Sequence, residues 1–130
     1  MSIAMPEGVN GVVNALTESV ELHDVEVASV VSGSPRQGVL ELGTTGARAG
    51  ATTEVGIWEL SAGEVTDTEI DEIFVVISGA ATIELLEVPG HPAETGRVLT
   101  VAAGDVVRLV AGTRTKWTVT ERIRKIYFAV

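Results

Sequence analysis

The feature that most constrains this chain is a series of β-branched runs, which glycines interrupt about every ten residues from Val25 onward. Short segments rich in Val, Ile and Thr with this spacing are typical of an antiparallel β-sandwich or barrel. The candidate strands are Glu26–Val31, Val39–Leu42, Thr53–Leu60, Ile70–Ser78, Ala80–Val88, Arg97–Val101, Asp105–Val110, Lys116–Thr120 and Ile123–Val130. We therefore predict an all-β fold with little helix.

Two segments fall outside this strand pattern. Gly8–Val20 contains glycines and several β-branched residues, so it supports one short turn rather than a long helix. Leu86–Arg97 contains two prolines and two glycines, which predicts a hairpin loop. We divide the chain into residues 1–25, an N-terminal segment that packs on the barrel or on a neighbouring chain, and residues 26–130, the β-barrel.

Composition excludes several classes of function. The 130 residues suit one domain, and the absence of cysteine excludes disulfides, thiolate metal sites and cysteine nucleophiles. Eighteen acidic against nine basic side chains give a net charge of −9, which disfavours binding to nucleic acid or to an anionic membrane surface.

The sequence also bears on localisation. Met1–Val13 has no Lys or Arg and so lacks the basic start of a signal peptide. No apolar stretch approaches the roughly 20 residues that a membrane-spanning helix needs. We expect a soluble cytoplasmic protein.

The candidate strand Ile70–Ser78 is apolar on both faces. One face carries Ile70, Phe74 and Val76, and the other carries Ile73, Val75 and Ile77. Because side chains alternate with period two, both faces need a cover. The barrel interior covers one face. The other face is covered either by the N-terminal segment or by a second chain, and the second possibility predicts a homodimer.

A spacing of acidic and glycine residues carries a family resemblance. Glu72 and Gly79 are separated by six residues, and Gly104-Asp105 opens a strand that ends at Ala111-Gly112. This order resembles the cupin family, whose first motif ends in Glu, six residues and Gly, and whose second motif begins with Gly. The resemblance implies a single-domain cupin, a double-stranded β-helix or jelly-roll type of antiparallel barrel.

Further stretches are similar to one subfamily, which includes the cupin of ethanolamine utilisation and the C-terminal cupin of ureidoglycine aminohydrolase. They are Gly56-Ile57-Trp58-Glu59, Ser78-Gly79-Ala80-Ala81-Thr82-Ile83, Ala103-Gly104-Asp105, Trp117-Thr118-Val119 and Arg124-Lys125-Ile126-Tyr127.

The metal ligands of the cupin motifs are largely missing. Aligning Glu72 and Gly104 with the motifs places Thr66, Thr68 and Thr115 where the family has histidines. Neutral hydroxyls are poor ligands for a divalent transition metal. Asp67, Glu69 and Asp71 would share one strand face, which we predict to be a solvated acidic edge. His23 and His91 are predicted to lie on the surface, so no metal or other cofactor is expected.

If the family register holds, a pocket lies at the barrel mouth. The residues predicted to line it are Thr66, Thr68, Glu72, Thr115, Trp117 and Val119, with Phe74 and Val76 deeper. Glu72 either pairs with Lys125 or acts as a general acid–base with Lys125 and Tyr127. Trp117 and Trp58 either stack on a ligand or fill the core. Arg114 and Lys116 either add positive charge at the mouth or are ordinary surface charges, and we favour the second interpretation.

Three functions remain open. The first is a metal-independent protein or enzyme that binds a carboxylate or sugar-like metabolite around Glu72. The second is a metal-dependent enzyme similar to ureidoglycine aminohydrolase, with Glu72 as a ligand. The third is a non-catalytic subunit whose acidic edge contacts a basic partner.

Overall fold

A computed structural model describes residues 3–130 and shows an almost entirely β architecture, as predicted. In the described part of the chain, nine strands form one curled antiparallel sheet: β1 His23–Asp24, β2 Val30–Ser32, β3 Arg36–Thr45, β4 Thr53–Leu60, β5 Gly63–Thr68, β6 Glu72–Glu87, β7 Val98–Ala102, β8 Val106–Leu109 and β9 Arg114–Ala129. Short 3-10 turns lie at Val27–Ser29, Ala47–Ala49 and Pro92–Glu94. Within the described residues, no helix is long and apolar enough to cross a bilayer.

The two long strands β6 and β9 organise the barrel. One path of paired strands runs β1-β3-β4-β9-β5-β2, and β6 pairs with β7, β8 and β9. The second half of β9 lies between β4 and β6, whereas its first half lies between β5 and β6. This arrangement curls the sheet around one interior and brings β4, β5, β6 and β9 to a common site.

The interior is filled by the inward-facing side chains of these strands. Leu60, Phe74, Val76, Ile83 and Ile123 are each 0% exposed. Burial of each such side chain stabilises the fold by about 1.5–3 kcal/mol. Along β6 buried and half-exposed residues alternate, as expected for a strand with one face on the core.

Several strand boundaries differ from those predicted. Ile70–Ser78 and Ala80–Val88 form the single strand β6, because Gly79 adopts a positive φ of 81° and bends the strand without ending it. Lys116–Thr120 and Ile123–Val130 likewise join in β9. Ile70 precedes β6 and is 53% exposed, so its predicted place beside Phe74 is wrong. The sequence also failed to predict β5.

The predicted first strand, Glu26–Val31, is mostly a 3-10 turn followed by β2. Next to this segment Val25 is buried in the core, at 6% exposure, whereas Val27 is 87% exposed. Val30 also packs against the core, and the residues between Val25 and Val30 form the 3-10 turn. The predicted hairpin loop is present: it runs from the end of β6 to the start of β7 and contains the turn Pro92–Glu94.

Within residues 3–25, parts of the N-terminal segment lie against the outside of β3 and β9 of the same chain. The Met5 amide donates to the Leu42 carbonyl at 2.8 Å. The Arg124 guanidinium donates to the carbonyl of Ala15 at 2.8 Å and to the carbonyl of Glu18. These contacts place part of the segment on the outer face of the sheet.

Candidate functional site

A cavity of about 370 Å³ opens into the barrel between β3, β4, β5, β6 and β9. Its walls combine apolar side chains with an unusual number of ionisable ones. The ionisable and aromatic residues that line it are Glu54, Trp58, Asp67, Glu69, Glu72, Trp117, Lys125 and Tyr127. The volume is that of a small-ligand site, and the wall is more polar than is usual for such a site.

The predicted ion pair between Glu72 and Lys125 is present at the base of this pocket. Lys125 Nζ donates to Glu72 Oε1 at 2.9 Å, and the two side chains are only 7% and 6% exposed. Strand register explains the contact: Lys125 lies opposite Val76, on the same face of β6 as Phe74 and Glu72. A buried pair of this kind is held in place because either charge alone would be costly to bury.

Three aromatic rings surround the Lys125 ammonium. Nζ lies 4.1 Å from the ring centre of Phe74, 4.6 Å from that of Trp58 and 5.1 Å from that of Trp117. A cation near an aromatic ring face is attracted by the ring quadrupole. Lys125 therefore has both a counter-ion and an aromatic box, and these hold its charge at the centre of the site.

Glu69 is a second buried carboxylate, at 7% exposure. Its Oε2 accepts hydrogen bonds from Thr115 Oγ1 at 2.6 Å and from Trp117 Nε1 at 3.0 Å. Its backbone is tied to Thr113 and Gly112 by two further hydrogen bonds. The predicted solvated acidic edge is thus wrong for Glu69. The alternation of side chains between two strand faces does not apply to Glu69, because β5 ends at Thr68 and β6 begins at Glu72.

Asp67 lies at the pocket rim, close to Glu69. One of its carboxylate oxygens accepts the Thr68 amide at 2.8 Å. Desolvation at the rim, reinforced by the negative charge of Glu69, raises the pKa of Asp67 to about 6. Asp71, the third member of the predicted acidic edge, instead accepts the Ala111 amide at 2.8 Å and stabilises a neighbouring turn.

Tyr127 forms the far wall with Glu54. Its hydroxyl donates to Glu54 Oε2 at 2.6 Å. Burial and the adjacent Glu54 carboxylate raise the pKa of Tyr127, so the phenol stays neutral. The ring packs over Gly56, where an added Cβ would collide with the hydroxyl and ring atoms of Tyr127.

A sequence model of the EutQ-like cupin domain family matches residues 47–127. The chain belongs to this cupin family. The match confirms the resemblance drawn from the motifs, and it includes every ionisable residue named above as lining the pocket.

Several solved structures are similar to this chain. A DUF861-family protein of unknown function from Pseudomonas syringae pv. tomato has 25% identity and a TM-score of 0.69, covering 88% of this chain and 45% of its own. A putative ethanolamine utilization protein from Salmonella typhimurium has 16% identity and a TM-score of 0.57, covering 87% and 96%. EutQ from Clostridium difficile has 19% identity and a TM-score of 0.57, covering 82% and 79%.

This cupin spans about half the length of the Pseudomonas protein, and the two other structures bear on the fold alone. No curated protein gave a significant match to the sequence.

The pocket does not fit the metal centre that many cupins carry. Of the four ligand positions, three are Thr66, Thr68 and Thr115, and the Thr115 hydroxyl already donates to Glu69. The fourth, Glu72, is paired with Lys125. Among residues 3–130 no group of three or more His, Asp or Glu side chains is arranged to hold a metal ion.

The structure brings most of the predicted site residues together. Thr66, Thr68, Glu72, Trp58, Trp117, Lys125 and Tyr127 all line the pocket. Thr115 and Val119 do not, because they are buried in the interior at 0% and 3% exposure.

Arg114 and Lys116 lie outside the pocket and add no positive charge at its mouth, in line with the favoured interpretation as surface charges. Lys116 points away from the pocket toward Glu64 and Glu84, at 3.8 and 3.7 Å, since Thr115 and Trp117 on either side of it face inward. Arg114, on the same face of β9, is exposed and does not line the pocket either. His23 and His91 are exposed, as predicted.

Glu54, Asp67 and Glu69 are pocket residues that the sequence reasoning did not place there. The position of Glu54 was predictable, because Glu54 and Trp58 are four residues apart in β4 and side chains an even number of residues apart share one strand face. For Glu69 no periodic signal existed, since it lies in the turn between strands.

Proposed function

We propose that this cupin binds a small polar metabolite, sugar-like in its hydroxyl groups, in the pocket around Glu72 and without a metal ion. The observation that carries the proposal is the position of the Lys125 ammonium, 2.9 Å from Glu72 Oε1 and boxed by three aromatic rings. Lys125 supplies a fixed positive charge to the carboxylate of Glu72. Glu72 occupies the position of the acidic metal ligand in the cupin motif.

Electrostatics supports the metal-independent part. A divalent cation at Glu72 would lie against the Lys125 ammonium and be repelled in a site of low dielectric constant. The remaining groups at the family's ligand positions are threonine hydroxyls, which compensate poorly for that repulsion.

The chemistry of the walls supports a hydroxylated ligand. Carboxylate oxygens of Glu54, Asp67 and Glu69 are hydrogen-bond acceptors, and Gln37 and Thr68 add groups that both donate and accept. Trp58 gives an aromatic wall on which an apolar ring face can lie. A carboxylate metabolite, the other ligand class that the sequence left open, is disfavoured because four carboxylates and one lysine line the cavity.

Any proton transfer to a bound ligand falls to the Glu72–Lys125 pair in this proposal. The two groups offer a base and an acid at the same point, and Tyr127 contributes a neutral hydroxyl nearby. Glu72, Lys125 and Tyr127 are therefore the proposed catalytic residues, and Trp58, Thr66 and Thr68 are proposed to contact the ligand.

The experiment is a metabolite screen by thermal shift in the presence of EDTA, using polyols, sugars, sugar amines and organic acids. We expect hydroxylated compounds to raise the melting temperature with chelator present, and Glu72→Gln to remove the shift. Hits limited to organic acids, or shifts that vanish with chelator, would overturn the proposal. Glu94→Gln, which alters a surface carboxylate outside this pocket, is the control.

We also propose that the protein is a homodimer. Ile73 and Phe128 are opposite each other on β6 and β9, and Val75 is opposite Val106 on β8. Phe128 is 40% exposed and Val106 is 68% exposed, so these side chains offer an apolar surface on the outside of the sheet. Light scattering after size exclusion measures the mass, and Phe128→Glu is expected to give the monomer.

A further inference from the structure

The outside of the sheet carries an apolar row that crosses five strands. Strand pairing places Leu40, Ile57, Ile126, Val75 and Val106 side by side, in the order β3, β4, β9, β6 and β8. These side chains lie on the side of the sheet away from the barrel interior, because side chains alternate between the two faces of a strand. An apolar row of this length needs a cover along its whole extent.

The N-terminal segment of the same chain covers only one end of this row. Ile57 is 0% exposed, whereas Val106 at the other end is 68% exposed. The segment fits closely on β3, where a Cβ added at Gly43 would collide with the Met5 carbonyl oxygen. The part of the face formed by β6, β8 and the end of β9 stays uncovered, and we call it the open half. Its outward side chains are Ile73, Val75, Val106, Arg108 and Phe128.

The N-terminal segment presents apolar side chains to solvent as well. Val9, Val12 and Leu16 are 64%, 93% and 61% exposed, although Arg124 anchors the backbone on both sides of Leu16. Each chain therefore has two neighbouring apolar surfaces, the outside of the segment and the open half. They stand at different heights above the same sheet, because the segment lies on top of it.

The two surfaces carry opposite charges. Glu7 is exposed and is the only charged residue between Ile3 and Thr17. Arg108 is the charged side chain of the open half, and it is exposed opposite Ile73. Neither Glu7 nor Arg108 makes a salt bridge within residues 3–130. A surface with one arginine among apolar side chains is complementary to a surface with one glutamate among apolar side chains.

We infer that two copies of this chain pack face to face, with the N-terminal segment of each copy lying on the open half of the other. The inference rests on the proposed homodimer and adds which surfaces meet in it. A two-fold axis that runs along the strands, between the two sheets, places the raised segment of each copy over the lower open half of the other. The same contact brings Glu7 of each copy to Arg108 of the other, and it covers both apolar surfaces of both copies.

The first test exchanges the two charges. Arg108→Glu or Glu7→Arg alone places like charges opposite each other, and we expect the dissociation constant of the dimer to rise about tenfold at low salt. The double variant restores opposite charges in reversed order and should return to within about threefold of wild type. Analytical ultracentrifugation measures the dissociation constants. Arg114→Glu makes the same change in charge at an exposed residue outside both surfaces, and it is the control.

The second test detects the contact between copies directly. The chain has no cysteine, so Val12→Cys provides a single attachment point for a nitroxide spin label. The labelled variant is mixed with isotope-labelled wild type, whose amide signals are followed by NMR. In the mixed dimer we expect the label to broaden the amides of β8 and of the first residues of β6 in the wild-type copy. The same label at His91→Cys, in the exposed loop before β7, is the control and should leave these amides sharp.

The outcomes separate this inference from the proposals on which it rests. A dimer whose single charge variants associate like wild type, or whose label leaves β8 of the other copy sharp, would overturn the crossed arrangement and leave the homodimer standing. A protein that is monomeric at every concentration would overturn both. The ligand pocket is tested separately, by the thermal-shift screen.

Discussion

Glu72 and Lys125 form a buried ion pair, 2.9 Å long between Oε1 and Nζ, although 53 residues separate them in the sequence. The pair joins the first residue of β6 to the second half of β9. Because Trp58, Phe74 and Trp117 surround the same ammonium, this contact also fixes the aromatic wall of the pocket. The pair is therefore both a structural contact and the base of the proposed site.

Loss of Lys125 should destabilise the fold strongly. Lys125→Met leaves Glu72 buried without a counter-ion, which costs about 3–5 kcal/mol in the free energy of unfolding. The double variant Glu72→Leu with Lys125→Met removes both charges and should recover most of that loss. Urea denaturation of the three proteins measures the difference. A Lys125→Met protein as stable as wild type would show that the pair is not tightly held.

Gly56 should tolerate no side chain, because Tyr127 occupies the space above it. We expect Gly56→Ala to lower the free energy of unfolding by about 1–3 kcal/mol through displacement of the Tyr127 ring. Gly11 has open space around its Cβ position and no positive φ, so Gly11→Ala is the matched control. Equal melting temperatures for the two variants would contradict the packing described here.

Asp67 should make stability depend on pH. Its pKa in the folded protein is about 6, raised from an ordinary 3.8, so the folded state binds the proton more tightly than the unfolded state. The resulting stabilisation is fully present below about pH 4 and is lost as the pH rises through 6.

Asp67→Asn removes this dependence. We expect the variant to be more stable than wild type at pH 7.5, by about 1 kcal/mol or less because the side chain is exposed to solvent, and equal to it at pH 4. Urea denaturation at both pH values checks the prediction. A larger difference at pH 4 than at pH 7.5 would have the wrong sign.

Arg124 should control the docking of the N-terminal segment. It is 7% exposed, pairs with Glu59 at 3.3 Å and donates to the carbonyls of Ala15 and Glu18. Lysine keeps the charge but cannot hold these acceptors at once. In Arg124→Lys we expect hydrogen exchange at the amides of Thr17 and Glu18 to accelerate about tenfold, which corresponds to ~1.4 kcal/mol.

The control for that experiment is Arg48→Lys, an exposed arginine that makes no salt bridge within the described residues. Unchanged exchange in Arg124→Lys would mean that other contacts hold the segment.

Much of the fold follows from strand periodicity. Thr53–Leu60 has the predicted bounds, and the inward positions of Phe74 and Val76 follow from alternation. The Glu72–Lys125 contact was predictable because both residues lie on inward faces of strands that the family resemblance places together. Gly79 was misinterpreted as a strand end, since sequence alone does not distinguish a glycine that bends a strand from one that terminates it.

The acidic side of the pocket was harder to predict. Glu69 lies in a turn, where period two no longer applies, and its burial depends on hydrogen bonds to Thr115 and Trp117, 46 and 48 residues away. Long-range contacts of this kind leave no local pattern. The inward direction of Thr115 and Trp117 also turns Lys116 outward, so that Lys116 adds no positive charge at the mouth.

The central claim is that Lys125, and not a metal ion, is the partner of Glu72. The most direct measurement is elemental analysis by mass spectrometry of the untagged protein, purified without chelator. We predict less than about a tenth of an equivalent of any transition metal per chain, because the donor set is too weak to hold one. About one equivalent of metal, lost in Glu72→Gln, would contradict the account and make Glu72 a metal ligand.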